Sequence, residues 1–178
     1  MKILGVDPGS RAAGWALVSF HGAPRLVGAG VLRPATTTSF ADRLLALHDA
    51  LLDVVEREKP DEAAVEKVFS GVNPQSLITL GEARGVLLLA LARAHVPVHE
   101  ITPAEIKKTI TGTGQADKEQ VRRMVLSLLG SPSGFSRLAL DAADAAAAAL
   151  THGFQTAAGR RATLASTAPS PVRRRVGG

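Results

Sequence analysis

The sequence predicts an α/β fold. A mixed central sheet, made of a three-stranded meander plus two further strands, carries helices on both faces. Three observations lead there. Ile3, Leu4 and Val6 form a short apolar run, the pattern of a buried central strand, and two more strand-like runs follow before residue 33. Beyond Ser39 helical periods alternate with strands, in the order helix, strand, helix, strand, helices. The 178 residues are 46% hydrophobic, enough for one domain with a sizeable core.

The first strand ends on Asp7, and Pro8-Gly9 stops it with a turn. Gly14 opens a second run that can return antiparallel, so strands are expected over Trp15–Phe20 and Leu26–Leu32, with His21-Gly22-Ala23-Pro24 between them. Ser39 and Asp42 resemble a capping box. Phe40, Leu44, Leu45, Leu47, Leu51, Leu52 and Val55 then keep a helical period until Pro60. A strand over Glu62–Val68 carries Glu66 on the same face as Ala64 and Val68. Asn73-Pro74 reads as an N-cap with proline at the first helical position, opening a helix to about Ala94. That helix is apolar on more than one face, so it is buried on several sides or lies in a subunit interface. Gly81 and Gly85 share one face and would allow another element close approach. Val96–Ile101 reads as a strand. Thr102 and Glu105 cap a short helix, and Asp117 and Gln120 start another, running to about Leu129. An alanine-rich helix over about Leu138–Thr151 closes the fold.

The chain has no cysteine, which excludes disulfides and thiolate metal sites. It enters its first strand without a signal peptide, and no uninterrupted apolar run reaches the roughly 18 residues of a membrane span, so a cytoplasmic protein with no membrane partner is expected. The net charge of +5 is local. Gln155–Gly178 holds five of the 21 basic residues, all arginine, and none of the 16 acids, which leaves residues 1–154 formally neutral. Residues 155–178, rich in Ala, Thr, Ser, Pro and Gly, are expected to form a basic, disordered tail after a domain spanning 1–154. Its arginines either attract phosphates or are simply solvated.

Four acids stand where burial is expected. Asp7 ends an apolar strand and Glu66 lies in another. Asp141 and Asp144, three apart on one helix face, are surrounded by alanines. Each alone has an ordinary reading as a turn residue, an edge-strand residue or a helix N-terminal acid. If they converge, they cannot all stay ionised without cations. Oxygen donors alone suit Mg²⁺, with Mn²⁺ as a substitute, and two such ions would serve phosphodiester hydrolysis. His152 lies on nearly the same face as Asp141, but about 16 Å further along the helix. It cannot share that ion and reads as a C-terminal cap.

Five segments, ILGVDPGSRAAGWALV, VEKVF, NPQSLITLGEARGVLL, PAEIKKTITGTGQADKEQV and DAADAAAAALTHG, follow one another over about residues 1–153. In that order and spacing the chain resembles the RuvC family, bacterial Holliday-junction resolvases with a ribonuclease H-like fold. The resemblance implies that Asp7, Glu66, Asp141 and Asp144 are the catalytic, metal-binding acids. It implies a homodimer that nicks four-way junction DNA symmetrically, leaving 5′-phosphate and 3′-hydroxyl ends, in recombination and repair alongside the RuvA–RuvB branch-migration complex. It places Lys107 and Lys118 near the scissile strand and gives Phe69 a base-stacking role, where residue type alone reads it as core. Lys108, Arg122 and Arg123 are further candidates for phosphate contact, with solvated helix charges as the ordinary alternative. With one Trp, no Tyr and five Phe, stacking platforms are few.

Overall fold

The computed structural model describes residues 1–67, 73–130 and 138–167, and the side chains of 158–167 lie outside that description. Strands β1 (Lys2–Asp7), β2 (Ala13–Ser19) and β3 (Arg25–Leu32) form the meander. Helix α1 (Phe40–Glu58) leads to β4 (Glu62–Glu66), α2 (Pro74–Arg93) and β5 (Val98–Ile101). Then come α3 (Pro103–Thr111), α4 (Lys118–Leu128) and α5 (Leu140–Thr167). The sheet order is β3-β2-β1-β4-β5. β1, β2 and β3 pair antiparallel, whereas β4 lies parallel to β1 and β5 parallel to β4.

Strand alternation sorts the core into two layers. Leu4, Val6, Trp15, Leu17, Ala63 and Val65 pack with Leu47, Leu51 and Val54 of α1 and Leu87 and Leu91 of α2. Ile3, Ala16, Val18, Ala64 and Ile101 face the other way, onto α3, α4 and α5. Helices therefore cover both faces, as the pattern predicts. Asn73 and Ser39 accept from the third residue of their helices, and Thr102–Glu105 and Asp117–Gln120 are complete capping boxes; the box expected of Ser39 and Asp42 is only half formed, since Asp42 accepts from the Ser39 hydroxyl and not from its backbone N–H.

α5 lies directly on the sheet. Ala145–Leu150 are fully buried. A Cβ on Gly5 would stand 1.8 Å from the Ala145 carbonyl oxygen, and one on Gly14 2.0 Å from that of Asp141. Only hydrogen in place of a side chain at these two strand positions lets the helix backbone touch β1 and β2.

Three further expectations change. α5 continues to Thr167 rather than ending near Thr151, so the backbone of Gln155–Thr167 is helical where a disordered tail is expected. Ala157, Ala158, Ala162, Leu164 and Ala165 favour helix, and the first proline after α5 begins is Pro169. Residues 168–178 lie outside the described residues. His152 is consequently mid-helix and buried, not a cap. Lastly, among the described residues nothing lies within 4 Å of where a Cβ on Gly81 or Gly85 would stand, and Ile78 and Leu89 beside them are 57% and 59% exposed. α2 is long and apolar enough to cross a membrane by length and composition. Glu82 and Arg84 interrupt it, however, and Ala83, Leu87, Ala90 and Leu91 bury one side of it in the protein core, as in many core helices.

Candidate active site

The register of β1 and β4 brings the first two acids together. Val6 pairs with Val65 in parallel alignment, so Asp7 and Glu66 stand side by side one residue further on, at the ends of their strands. Alternation puts both on the α5 face, with Gly5 and Ala64. The contacts at Gly5 and Gly14 then set the first turns of α5 over the same strand ends, which delivers Asp141 and Asp144.

The electrostatics record this convergence. Burial, then the charges of Glu66, Asp144 and Asp141, push the Asp7 carboxyl from 3.8 up to about 8. Burial and Asp144 push Glu66 from 4.5 up to about 7. Lys118 opposes both shifts. Its ammonium donates to Asp144 Oδ2 at 3.1 Å, and this hydrogen bond, with the charges of Asp144, Asp7 and Glu66, holds its own pKa above the usual lysine range.

Asp7, Glu66 and Asp144 line a cavity of about 500 Å³ together with Lys67, Lys107 and Lys118. Pro103 and Ile106 of α3, Val121 of α4 and Leu80 of α2 supply apolar wall. Asp141 does not line the cavity, although its charge reaches Asp7. Outside the cavity, Arg84 of α2 lies 2.8 Å from Glu100 and donates to the Glu66 carbonyl at 3.4 Å.

Of the other candidates, Lys107 and Lys118 reach the cavity, while Lys108 is exposed outside its lining. Arg122 turns back onto its own fold. It lies 3.6 Å from Glu119 and reaches the Leu138 carbonyl at 3.5 Å. Arg123 borders a separate hollow with Thr111, Thr113 and Gln120. Phe69 lies outside the described residues. Sequence reasoning missed Lys67, for which adjacency to Glu66 was the available signal. It also missed the positioning role of Gly5 and Gly14, whose signal was glycine inside strands facing an alanine-rich helix.

The donor set fits divalent cations. Carboxylate oxygens alone match hard ions such as Mg²⁺ or Mn²⁺. Four acids against the nearby Lys118 ammonium leave an excess of negative charge that bound protons or added cations must neutralise, and cations can do so while leaving the carboxylates ionised.

The model of the family described as "Crossover junction endodeoxyribonuclease RuvC" matches residues 3–152. A protein of that name from Paramagnetospirillum magneticum is 44% identical over 153 residues, covering 85% of this chain and 90% of its own length. Its counterpart from Oleidesulfovibrio alaskensis is 46% identical over the same coverage. The solved structure of T. thermophilus RuvC in complex with a Holliday junction substrate superposes with a TM-score of 0.82 at 33% identity, covering 89% of this chain and 96% of that one.

Proposed function

Because the chain belongs to the RuvC family of crossover junction endodeoxyribonucleases, we propose that it resolves four-way DNA junctions by paired, symmetrical, metal-dependent nicks. The observation that carries this reading is the convergence of Asp7, Glu66 and Asp144, within reach of Asp141, in a cavity rimmed by Lys67, Lys107 and Lys118. Acids in that number suit the site of phosphodiester hydrolysis, and the lysines suit the phosphate that must enter it.

Held by Asp7, Glu66, Asp141 and Asp144, two Mg²⁺ ions, with Mn²⁺ as a substitute, would supply water activation and charge neutralisation at the leaving oxygen. The chain's own residues do the rest. Lys118, tied to Asp144, keeps an ammonium at the cavity mouth where the scissile phosphate arrives. Lys107 and Lys67 approach from α3 and the end of β4. The apolar wall of Ile106, Val121 and Leu80 limits water access, which strengthens each of these interactions. Hydrolysis leaves a 5′-phosphate and a 3′-hydroxyl. Phe69 stacks on a base at the opened junction centre, and Lys108, Arg122 and Arg123 add weaker phosphate attraction.

Symmetrical nicking needs two sites, and the chain acts as a homodimer. The exposed stripe of Ile78, Gly81, Gly85 and Leu89 on α2 supports this, since its spacing keeps the four on one face and its glycines allow close helix approach. The nuclease domain spans 1–154, and the basic segment after it adds non-specific attraction to DNA. The enzyme works in the cytoplasm alongside the RuvA–RuvB branch-migration complex, in recombination and repair.

The test is cleavage of a labelled mobile four-way junction, a linear duplex and an RNA–DNA hybrid with Mg²⁺, Mn²⁺ or EDTA. Paired nicks in the junction alone, and only with metal, are expected. Equal cutting of all three substrates, or binding without nicks under either metal, refutes the reading.

A further inference from the structure

The acids of the cavity occupy one end of the layer between α5 and the sheet. The opposite end carries a second cluster with different chemistry. Glu62 opens β4 four residues before Glu66, about 13 Å along the strand. His152 follows Asp144 by eight residues on α5, about 12 Å along the helix. His99 of β5 pairs with Ala64, so it also faces α5. Three elements thus meet at a point remote from the acids.

The geometry there is specific. His152 Nε2 lies 2.5 Å from Glu62 Oε2, and His99 Nε2 lies 3.4 Å from the same oxygen. The two imidazoles stack with centroids 4.0 Å apart and planes inclined by 21°. One ligand atom from each of the three residues lies within 4.8 Å of the others. Donors around a tetrahedral Zn²⁺ at about 2.0–2.2 Å stand about 3.3 Å from one another. The His99–Glu62 separation already has that value, the His152–Glu62 separation needs to open by less than about 1 Å, and the two stacked rings must tilt so that their ligand nitrogens, no more than 4.8 Å apart, converge on the ion. His152 is 8% exposed and Glu62 24%, whereas His99 is 44% exposed, so an ion held here keeps one side open to water.

We propose that Glu62, His99 and His152 form a second divalent-metal site, selective for a borderline transition ion such as Zn²⁺. Two nitrogens and one carboxylate oxygen favour Zn²⁺ over Mg²⁺, while the all-oxygen set at the other end has the opposite preference. The bound ion cross-links β4, β5 and α5, and β4 and α5 carry Glu66, Asp141 and Asp144 at their other ends. Its role is a structural clamp with one exchangeable position.

The experiment uses the full chain without an affinity tag, with excess Mg²⁺ present to fill the acidic cavity, and Zn²⁺ as the probe. Imidazole nitrogen NMR reports each histidine separately. Expected is a joint shift of the His99 and His152 Nε2 signals that saturates at one Zn²⁺ per chain. Tm should rise by roughly 5–10 °C at Zn²⁺ a hundredfold above Kd. His99→Ala, at a half-exposed position of β5, should weaken Zn²⁺ binding by at least about a hundredfold, and Glu62→Gln should weaken it as well. Unmoved His99 and His152 signals would overturn the proposal, leaving the cluster a plain hydrogen-bonded pair. One-equivalent binding that survives both substitutions would do the same. Because the signals belong to named histidines, neither outcome depends on whether the acidic cavity cuts junctions.

Discussion

Replacing Asp7 by Asn should inactivate the enzyme and, without metal, stabilise it. Asp7 ionises near 3.8 when free but is held at about 8 in the fold by burial and by Glu66, Asp144 and Asp141. A carboxyl raised in this way contributes stability below its unfolded pKa and loses it as pH rises through the folded value. In EDTA the wild type should therefore lose stability steadily between about pH 4 and pH 8. Holding the proton against this shift costs at most about 4 kcal/mol at pH 7. Relaxation and water entry reduce that to about 1–3 kcal/mol. Asp7→Asn removes the titrating charge, so its Tm in EDTA at pH 7–8 should exceed the wild type's by roughly 3–10 °C, and its decline with pH should flatten. Saturating Mg²⁺ should shrink the difference, because only the wild type keeps the full ligand set. Thermal melts across pH, with and without metal, measure this beside junction cleavage and binding. A variant less stable than wild type in EDTA at pH 8, or one that no longer binds junctions, would refute the reasoning and make Asp7 a structural residue.

Gly5→Ala should lower stability by about 1–3 kcal/mol and cut cleavage sharply. Its Cβ would collide with the Ala145 carbonyl and lift the helix that carries Asp141 and Asp144; a melt and a single-turnover assay read both effects, and normal cleavage would disprove the positioning role. Lys118→Ala should slow cutting by roughly tenfold to a thousandfold while changing junction affinity little, measured by single-turnover rate against gel-shift Kd. An unchanged rate would place Lys118 among the solvated charges. For the proposed dimer, light scattering should find the wild type dimeric and Leu89→Arg, on the exposed stripe of α2, monomeric, with paired nicks replaced by single ones; a variant that stays dimeric would place the interface elsewhere, and a monomeric wild type would refute the dimer.

Much of this molecule could be read from short-range signals. Every described strand and helix announces itself through an apolar period, a cap such as Asn73 or Thr102, or a turn such as Pro8-Gly9, because these depend on neighbours within a few residues. The acids stood out for a local reason too, as charges among residues that bury. Local pattern thus identifies the elements, apart from the extension of α5 beyond Thr151, together with the alternation that puts Glu66 on the same face as Ala64 and the family resemblance. Tertiary structure alone decided which of these groups meet. The parallel register of β1 and β4 sets Asp7 beside Glu66 across 59 positions of sequence. Hydrogen at Gly5 and Gly14, where any side chain would strike backbone, lets α5 descend onto the strand ends. His152 shows the limit most clearly. Along the chain it resembled a helix cap, and only the packing of α5 across β4 and β5 puts it on Glu62, 90 positions away, and stacks it on His99. Side-chain partnership across such separations depends on strand register and helix seating, and no local pattern of residues encodes either.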